Sequence, residues 1–257
     1  MAIKNYSKIR MRKQDIVRRV ASKDSDYSYC HVMGCKNPPT AQTGKGLNRL
    51  YCRKHEDHFE RHGSYHKPSY RASEVNPYRR IALKWINMYE SDPSISAAIH
   101  NVERLYQAAG PHIEAFRLRG LNPEARARAA WARLREKGVD PRIPLSIWLA
   151  IEMVTQRDPQ SERSKEFKQV QAAKVIHRQA SGTHKRWEHV GSSDGTVWVE
   201  ELHKYPKSRG LVLRHIGEQL EKATELVVDR HLDSIMAEAR QTKGIVTTRC
   251  SAIQTTT

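Results

Sequence analysis

Between Cys30 and Gly63 the chain reads CHVMGCKNPPTAQTGKGLNRLYCRKHEDHFERHG, gathering three of its four cysteines and four of its thirteen histidines. A window this polar offers little apolar side chain from which to build a core, so a metal ion is the readiest organiser. Cys30 and Cys35 have four residues between them, and Gly34 suits the tight turn that brings both sulfurs to one ion. Cys52 and His55 follow with two residues between, a spacing that fits within one helical turn. A knuckle supplying Cys30 and Cys35 and a helix start supplying Cys52 and His55 would complete a closed tetrahedral Cys3His site for Zn2+, structural rather than catalytic. His31, His58 and His62 compete with His55 for the fourth position. Four cysteines are too few for a disulfide scaffold in a chain of 257 residues, and Cys250 is left as a lone thiol.

The formal charge of +17 narrows the partner. A surplus of that size points to a polyanion, because neutralising phosphates releases counterions without any need to read sequence. The basic N-terminal arm, residues 1–26, carries Arg10, Arg12, Lys13, Arg18 and Arg19, and is read as a short basic helix or as an arm that orders on a phosphate backbone. Membrane is the rival polyanion. The longest apolar run, Ile143 to Val154, is too short to span a bilayer and contains Glu152, so no membrane partner is expected. The first 23 residues also lack the apolar core of a secretory signal, which gives a cytoplasmic location as the expectation.

Beyond the zinc-binding module, placed at 27–66, a linker near 66–76 leads into a helical domain over 77–241. Asn76-Pro77, Asp92-Pro93 and Asn122-Pro123 are helix-start signals, and Gly110-Pro111 and Gly138 are stops. Pro144 to Gln156 is the most apolar stretch and should be the most buried helix. Ser161 to Ala180 follows as a charged helix with Phe167, Val170, Ala173, Ile176 and His177 inward. Asp194-Gly195 is a hairpin-type turn, giving a short β-hairpin near 187–200, and a second metal site from His184, His189 and His203 is the less favoured idea for that stretch. The longest helix is expected over 208–241; from Glu218 to Arg240 it has six acids against three Lys or Arg, which makes it the surface for self-association or a protein partner. Residues 242–257 read as a flexible tail. The fold class is therefore mainly α, with a small N-terminal zinc knuckle. Arg126, Arg128, Arg133 and Arg135 on one helix, and Lys165, Lys168, Lys174 and Arg178 on another, are candidate basic strips.

The Cys30-HVMG-Cys35-KNP, Tyr51-Cys52-RK-His55 and Phe59-Glu60-Arg61-His62-Gly63 segments together resemble the Cys3His zinc modules of bacteriophage and mobile-element proteins, some of which are attached to HNH-type endonucleases. The resemblance covers about 35 residues, and a longer loop before Cys52 departs from it. It implies zinc on Cys30, Cys35, Cys52 and His55, DNA as the partner, and the bacterial cytosol or nucleoid as the location. The functional expectation is a non-catalytic DNA-binding protein, a regulator or accessory factor of a phage or mobile element. Lys45, Arg49, Arg53, Lys54 and Arg61 would project from the module towards phosphates, joined by the basic arm. A metal-dependent nuclease, an RNA-binding protein and a zinc-stapled protein-interaction module are the alternatives. For the nuclease, His58 and His62 stand four apart, but Phe59 occupies the place of the glutamate that a zinc-protease helix requires, and no second catalytic constellation is visible.

Overall fold

The computed structural model describes residues 29–39, 42, 43, 46–160, 162–179, 182–190, 197–206 and 210–241, with Met11, Lys13, Gln14, Val17 and Arg18 ahead of them. The rest of the basic arm, the Asp194-Gly195 turn and the tail 242–257 lie outside the described residues. The chain divides into two compact units, one ending at Pro68 and the other beginning at Ser69.

In the first unit, a two-residue ribbon pairs β1 (Gln42–Thr43) with β2 (Gly46–Leu47), and helix α1 (Arg53–His62) follows. Asn48 prepares the entry to the helix: its Oδ1 accepts from the N–H groups of Leu50 and Tyr51 at 2.8 and 3.1 Å, while its Nδ2 donates to Glu56 at 2.8 Å. Gly63, in the left-handed region at φ 76°, ends α1 by donating to the Phe59 carbonyl at 2.8 Å. The turn it makes lays Tyr65 between two other rings, 3.4 Å from Tyr51 and 4.3 Å from Phe59, both nearly parallel. This three-ring stack serves as apolar filling for an otherwise polar unit.

The second unit is helical. It comprises α2 (Ala72–Met88), α3 (Pro93–Gln107), a 3-10 turn (Ala115–Leu118), α4 (Pro123–Glu136), α5 (Arg142–Arg157), α6 (Lys165–Gln179), the hairpin β3 (Thr183–Val190) and β4 (Val197–Lys204), and α7 (Leu211–Gln241). Mainly helical with a small zinc-type module near the N-terminus is thus the observed class. The starts of α3 and α4 follow their sequence signals. Asp92 accepts from the N–H of Ser94 and Ile95, Asn122 accepts from Ala125, and a proline fills the first helical position in each. The start of α2 does not: the helix begins a turn ahead of Asn76-Pro77, because Glu74 accepts the Arg71 N–H at 2.6 Å and satisfies an end group earlier in the chain.

Helix α5 is buried from Pro144 to Thr155 without interruption and packs against α2, α3, α6 and α7. Trp131, Trp148 and Phe167 are the largest side chains sealed in this core. The apolar seam of α7 is buried in two clusters, Leu213, Ile216 and Leu220 in one and Val227, Ile235 and Ala239 in the other. Close approach of α7 to α6 depends on Gly217, where an added Cβ would stand 2.5 Å from the Gln169 carbonyl oxygen. Polar links tie α7 to two neighbouring helices: Trp131 Nε1 on α4 donates to Gln219 at 2.7 Å and Gln169 on α6 donates to Glu221 at 2.8 Å.

The hairpin is longer than the expected 187–200, running from Thr183 to Lys204. It sets Val190 opposite Val197 and His184 opposite His203. Its base is tied to the 3-10 turn: Ala115 N–H donates to Thr183 Oγ1 at 2.8 Å, and Lys185 pairs with Glu114. Among the described residues, no helix is long and apolar enough to cross a membrane.

Candidate metal centre

Four donors from three places in the chain converge. Cys30 and Cys35 flank a tight turn in which the Cys35 N–H donates to the Val32 carbonyl at 2.9 Å and Gly34 takes φ 77°. Cys52 is the N-cap residue of α1, and His55 lies in the first turn of that helix. The turn is anchored to the helix approach because Cys30 N–H donates to Asn37 O at 2.8 Å and His31 N–H to Leu50 O at 2.9 Å.

Nδ1 of His55 stands 3.2 Å from Cys30 Sγ and 3.4 Å from Cys52 Sγ, and the sulfurs of Cys35 and Cys52 are 3.9 Å apart. All four donor atoms lie within 4.8 Å of one another. A tetrahedral ion with bonds of about 2.3 Å to sulfur and about 2.0 Å to nitrogen holds two sulfurs about 3.8 Å apart, and a sulfur and a nitrogen about 3.5 Å apart. The geometry therefore fits a single tetrahedral ion, and the donor set suits a thiophilic one. Four protein ligands leave no open coordination position, so the site is a staple.

The local electrostatics favour the ligating forms of Cys52 and His55. Burial pushes the Cys52 thiol up, but the His55 N–H and the Cys30, Cys35 and Asn37 side chains outweigh it, so Cys52 lies below its ordinary value. Its place at a helix N-terminus acts in the same direction. Asn37 Nδ2 approaches the same sulfur at 3.9 Å. Burial, and then the Lys54 charge, hold His55 below its ordinary value and keep the imidazole neutral, as a metal requires. Burial leaves Cys30 above its ordinary value.

The three rival histidines lie elsewhere. His31 meets Tyr51 edge-on, His58 Nδ1 donates to the Ser64 carbonyl at 2.7 Å, and His62 stacks on His58 with centroids 4.3 Å apart. Among the described residues, no other group of three or more His, Cys, Asp or Glu donors is close enough to share an ion.

Of the expected nucleic-acid contacts, Arg49, Arg53, Lys54 and Arg61 are exposed on this unit, and Lys13 and Arg18 are exposed in the arm. Arg53 reaches only a loose ion pair with Asp57 at 3.9 Å. Lys45, Arg10, Arg12 and Arg19 lie outside the described residues. The two helical basic strips are largely engaged in holding the second unit together. Arg126 donates to Leu118 O, Arg135 to the carbonyls of Tyr106 and Gly110, and Arg133 is buried. Lys165 pairs with Glu221, Lys168 with the buried Glu152, and Lys174 donates to Ser69; Arg128 and Arg178 stay exposed. Sequence could not separate these roles, because an arginine bound to a carbonyl and one reaching for phosphate have the same residue type and helical spacing.

Two polar groupings in the second unit were not foreseen. Ser94 Oγ lies 2.8 Å from His231 Nε2, but Asp92 accepts the hydroxyl and approaches that same ring nitrogen, and Ser94 is buried. This is a helix cap extended by a histidine, since a catalytic arrangement needs the carboxylate on the other nitrogen. A cleft of about 450 Å³ is lined by Glu152, Thr155, Gln156, Arg163 and Lys168, and its carboxylate is already held by Lys168 at 2.8 and 3.0 Å.

Fold and site define a mainly helical protein carrying a closed Cys3His centre in a separate N-terminal unit. Comparison with protein-family models, with curated proteins and with solved structures finds no match.

Proposed function

We propose that the protein binds DNA without catalysing a reaction, through a zinc-stapled module, and serves as a regulator or accessory factor of a phage or mobile element. The observation that carries this reading is the exposure of Arg53, Lys54 and Arg61 on the helix whose first turn supplies Cys52 and His55. Zinc held there supplies no reactive position; it fixes the helix start against the Cys30 to Cys35 turn, so the cations are presented from a rigid unit. The formal charge of +17 adds long-range attraction for a polyanion. The phage setting rests on the resemblance of the Cys30 to Gly63 segment to modules of such proteins.

The test is duplex-DNA affinity of the zinc-loaded protein as a function of salt. Affinity should fall with salt, with a log–log slope of about 0.9 for each phosphate neutralised. Tighter binding to single strands or structured RNA at the same salt would move the reading to RNA. Metal-dependent cleavage of the DNA would move it to a nuclease. A second reading, protein contact through α7, is favoured by one observation: Glu225, Leu226, Asp229 and Asp233 are all exposed there.

A further inference from the structure

The β3–β4 ribbon holds two histidines that the zinc module does not use and that the DNA reading does not require. His184 and His203 are directly opposite across the two strands, and their Nδ1 atoms are 2.7 Å apart. Both rings are exposed. We propose that this pair is a second metal site, taking one borderline divalent cation such as Cu2+, Ni2+ or Zn2+ on two imidazole nitrogens, with water completing the coordination.

The surrounding groups set the rings up for this. Glu201, two residues before His203 and therefore on the same face of the strand, approaches His203 Nε2 at 3.2 Å. A carboxylate only accepts, so the neutral His203 ring carries its proton on Nε2 and turns the Nδ1 lone pair towards His184. A carboxylate on the far nitrogen is the usual outer partner of a ligating histidine, where it fixes the tautomer and raises ligand basicity. The His184 ring is held from behind: it meets Tyr205 edge-on with centroids 5.4 Å apart, and its Nε2 lies 3.2 Å from where a Cβ on Gly182 would be. Gly182 at φ 90°, itself against the Tyr205 ring, leaves no room for a side chain there.

The separation is also close to what an ion needs. Two nitrogens bonded at about 2.0–2.1 Å and about 90–110° apart stand about 2.8–3.4 Å from each other. A small rotation about the side-chain torsions opens the 2.7 Å pair to that range, and nothing in the backbone need move. Imidazole donors with open positions select the borderline cations over Mg2+ or Ca2+. His189 is not part of the set. It points to the opposite face, stacked on Trp198 at 5.5 Å and 3.3 Å from Glu200, so the three-histidine site considered from sequence reduces to two ligands and an outer carboxylate.

The experiment is a Cu2+ titration of the full-length protein, its Cys3His site filled with zinc, followed by electron paramagnetic resonance. One Cu2+ per chain should bind without releasing zinc and show coupling to two imidazole nitrogens. His184→Asn or His203→Asn should weaken binding about tenfold or more, Glu201→Gln should weaken it about tenfold, and His189→Asn should leave it unchanged. In the unsubstituted protein, Cu2+ should broaden the nuclear resonances of β3 and β4 first, a measurement that does not depend on how any variant folds. Coupling to a single nitrogen, broadening centred outside the ribbon, or zinc release with a sulfur-to-copper absorption band would each overturn the assignment. So would unchanged binding when both His184 and His203 are replaced.

Discussion

Nδ1 of His55 lies 3.2 Å from the sulfur of Cys30, twenty-five residues earlier in the chain. With Cys52 Sγ only 3.4 Å from the same nitrogen, the contact ties the turn to the helix start at the point where an ion would sit. Replacing one donor removes the staple for both. With His184→Asn and His203→Asn present so that the ribbon holds no ion, Cys52→Ser should therefore take metal content from one zinc per chain to near none and unfold α1, while the helices beyond Ser69 keep their structure, since small zinc knuckles draw most of their folding energy from the metal. Metal analysis alongside far-ultraviolet circular dichroism checks both halves. Retention of a full equivalent of zinc would show that the ligand set is wrong.

Arg53, Lys54 and Arg61 are exposed and contribute no donor to the centre, so neutralising all three should leave zinc in place. The slope of log affinity for duplex DNA against log salt should flatten by about 2–3, at about 0.9 for each phosphate that is no longer neutralised. An unchanged slope would place the interface elsewhere, with exposed Lys13 and Arg18 of the arm as the next residues to substitute.

How much of this was legible beforehand differs by feature. The ligand set was readable because cysteine spacing maps almost directly onto geometry, and the Asp92-Pro93 and Asn122-Pro123 starts were readable because capping is local. The destination of His58 was not: its bond to Ser64 O depends on the turn that Gly63 makes after α1. Nor was the His184–His203 pairing, because the Asp194-Gly195 signal marks a hairpin without fixing which residues stand opposite each other. Pairing along two eight-residue strands is fixed by the whole ribbon and its tie to the 3-10 turn, and turn chemistry at two positions does not determine it. The buried fate of Arg133 was equally hidden, since its helix repeats Arg and Ala on every side.

That buried arginine has a consequence for pH. Arg133 on α4 is 2% exposed and His177 on α6 is 6% exposed, both helices pack on α7, and the Nε and Nη1 atoms of Arg133 lack hydrogen-bond partners among the described residues. Burial, then the positive charges of Arg133 and Arg178, bring His177 down to about 4. The native state keeps His177 neutral, whereas the unfolded chain takes up a proton near pH 6.5. Stability from this group is thus complete above about pH 6.5, declines as the pH falls, and stops declining near the folded value, for a total of up to about 3 kcal/mol. Unfolding free energies from urea titration should fall between pH 7.5 and 4.5 by up to about 3 kcal/mol more for the parent than for His177→Gln; parallel profiles would dismiss His177 as the source.

Asp92 gives a second acid dependence at a different pH. Its carboxylate accepts from Ser94 Oγ, the Ser94 and Ile95 N–H groups and the His231 ring, and these bonds, led by the Ser94 hydroxyl, hold it down at about 2. A folded value below the unfolded one means stabilisation that is present above about pH 4 and is lost as the pH drops through 2. Asp92→Ala should lower the urea midpoint at neutral pH, because the first turn of α3 then has no side-chain acceptor for its N–H groups, and Asp92→Asn should recover most of the difference. Failure of asparagine to rescue would assign the role to charge on His231 instead of to capping.

Gly217 makes the sharpest test of the packing between α6 and α7. In an exposed helix, Gly→Ala stabilises by about 1 kcal/mol through the unfolded chain and helix propensity. Here the added carbon would stand 2.5 Å from the Gln169 carbonyl oxygen, 2.6 Å from its Cβ and 2.7 Å from its carbonyl carbon. Two of those atoms are backbone in the middle of α6, so no side-chain rotation relieves the overlap and the helices must separate. Gln169 also donates to Glu221, one turn further along α7, so separation strains that bond as well. Overpacking of this kind costs about 1–3 kcal/mol or more, which exceeds the propensity gain. Gly217→Ala should therefore lower the urea midpoint despite improving the helix, whereas a raised midpoint would mean that α6 and α7 are not in backbone contact at this position.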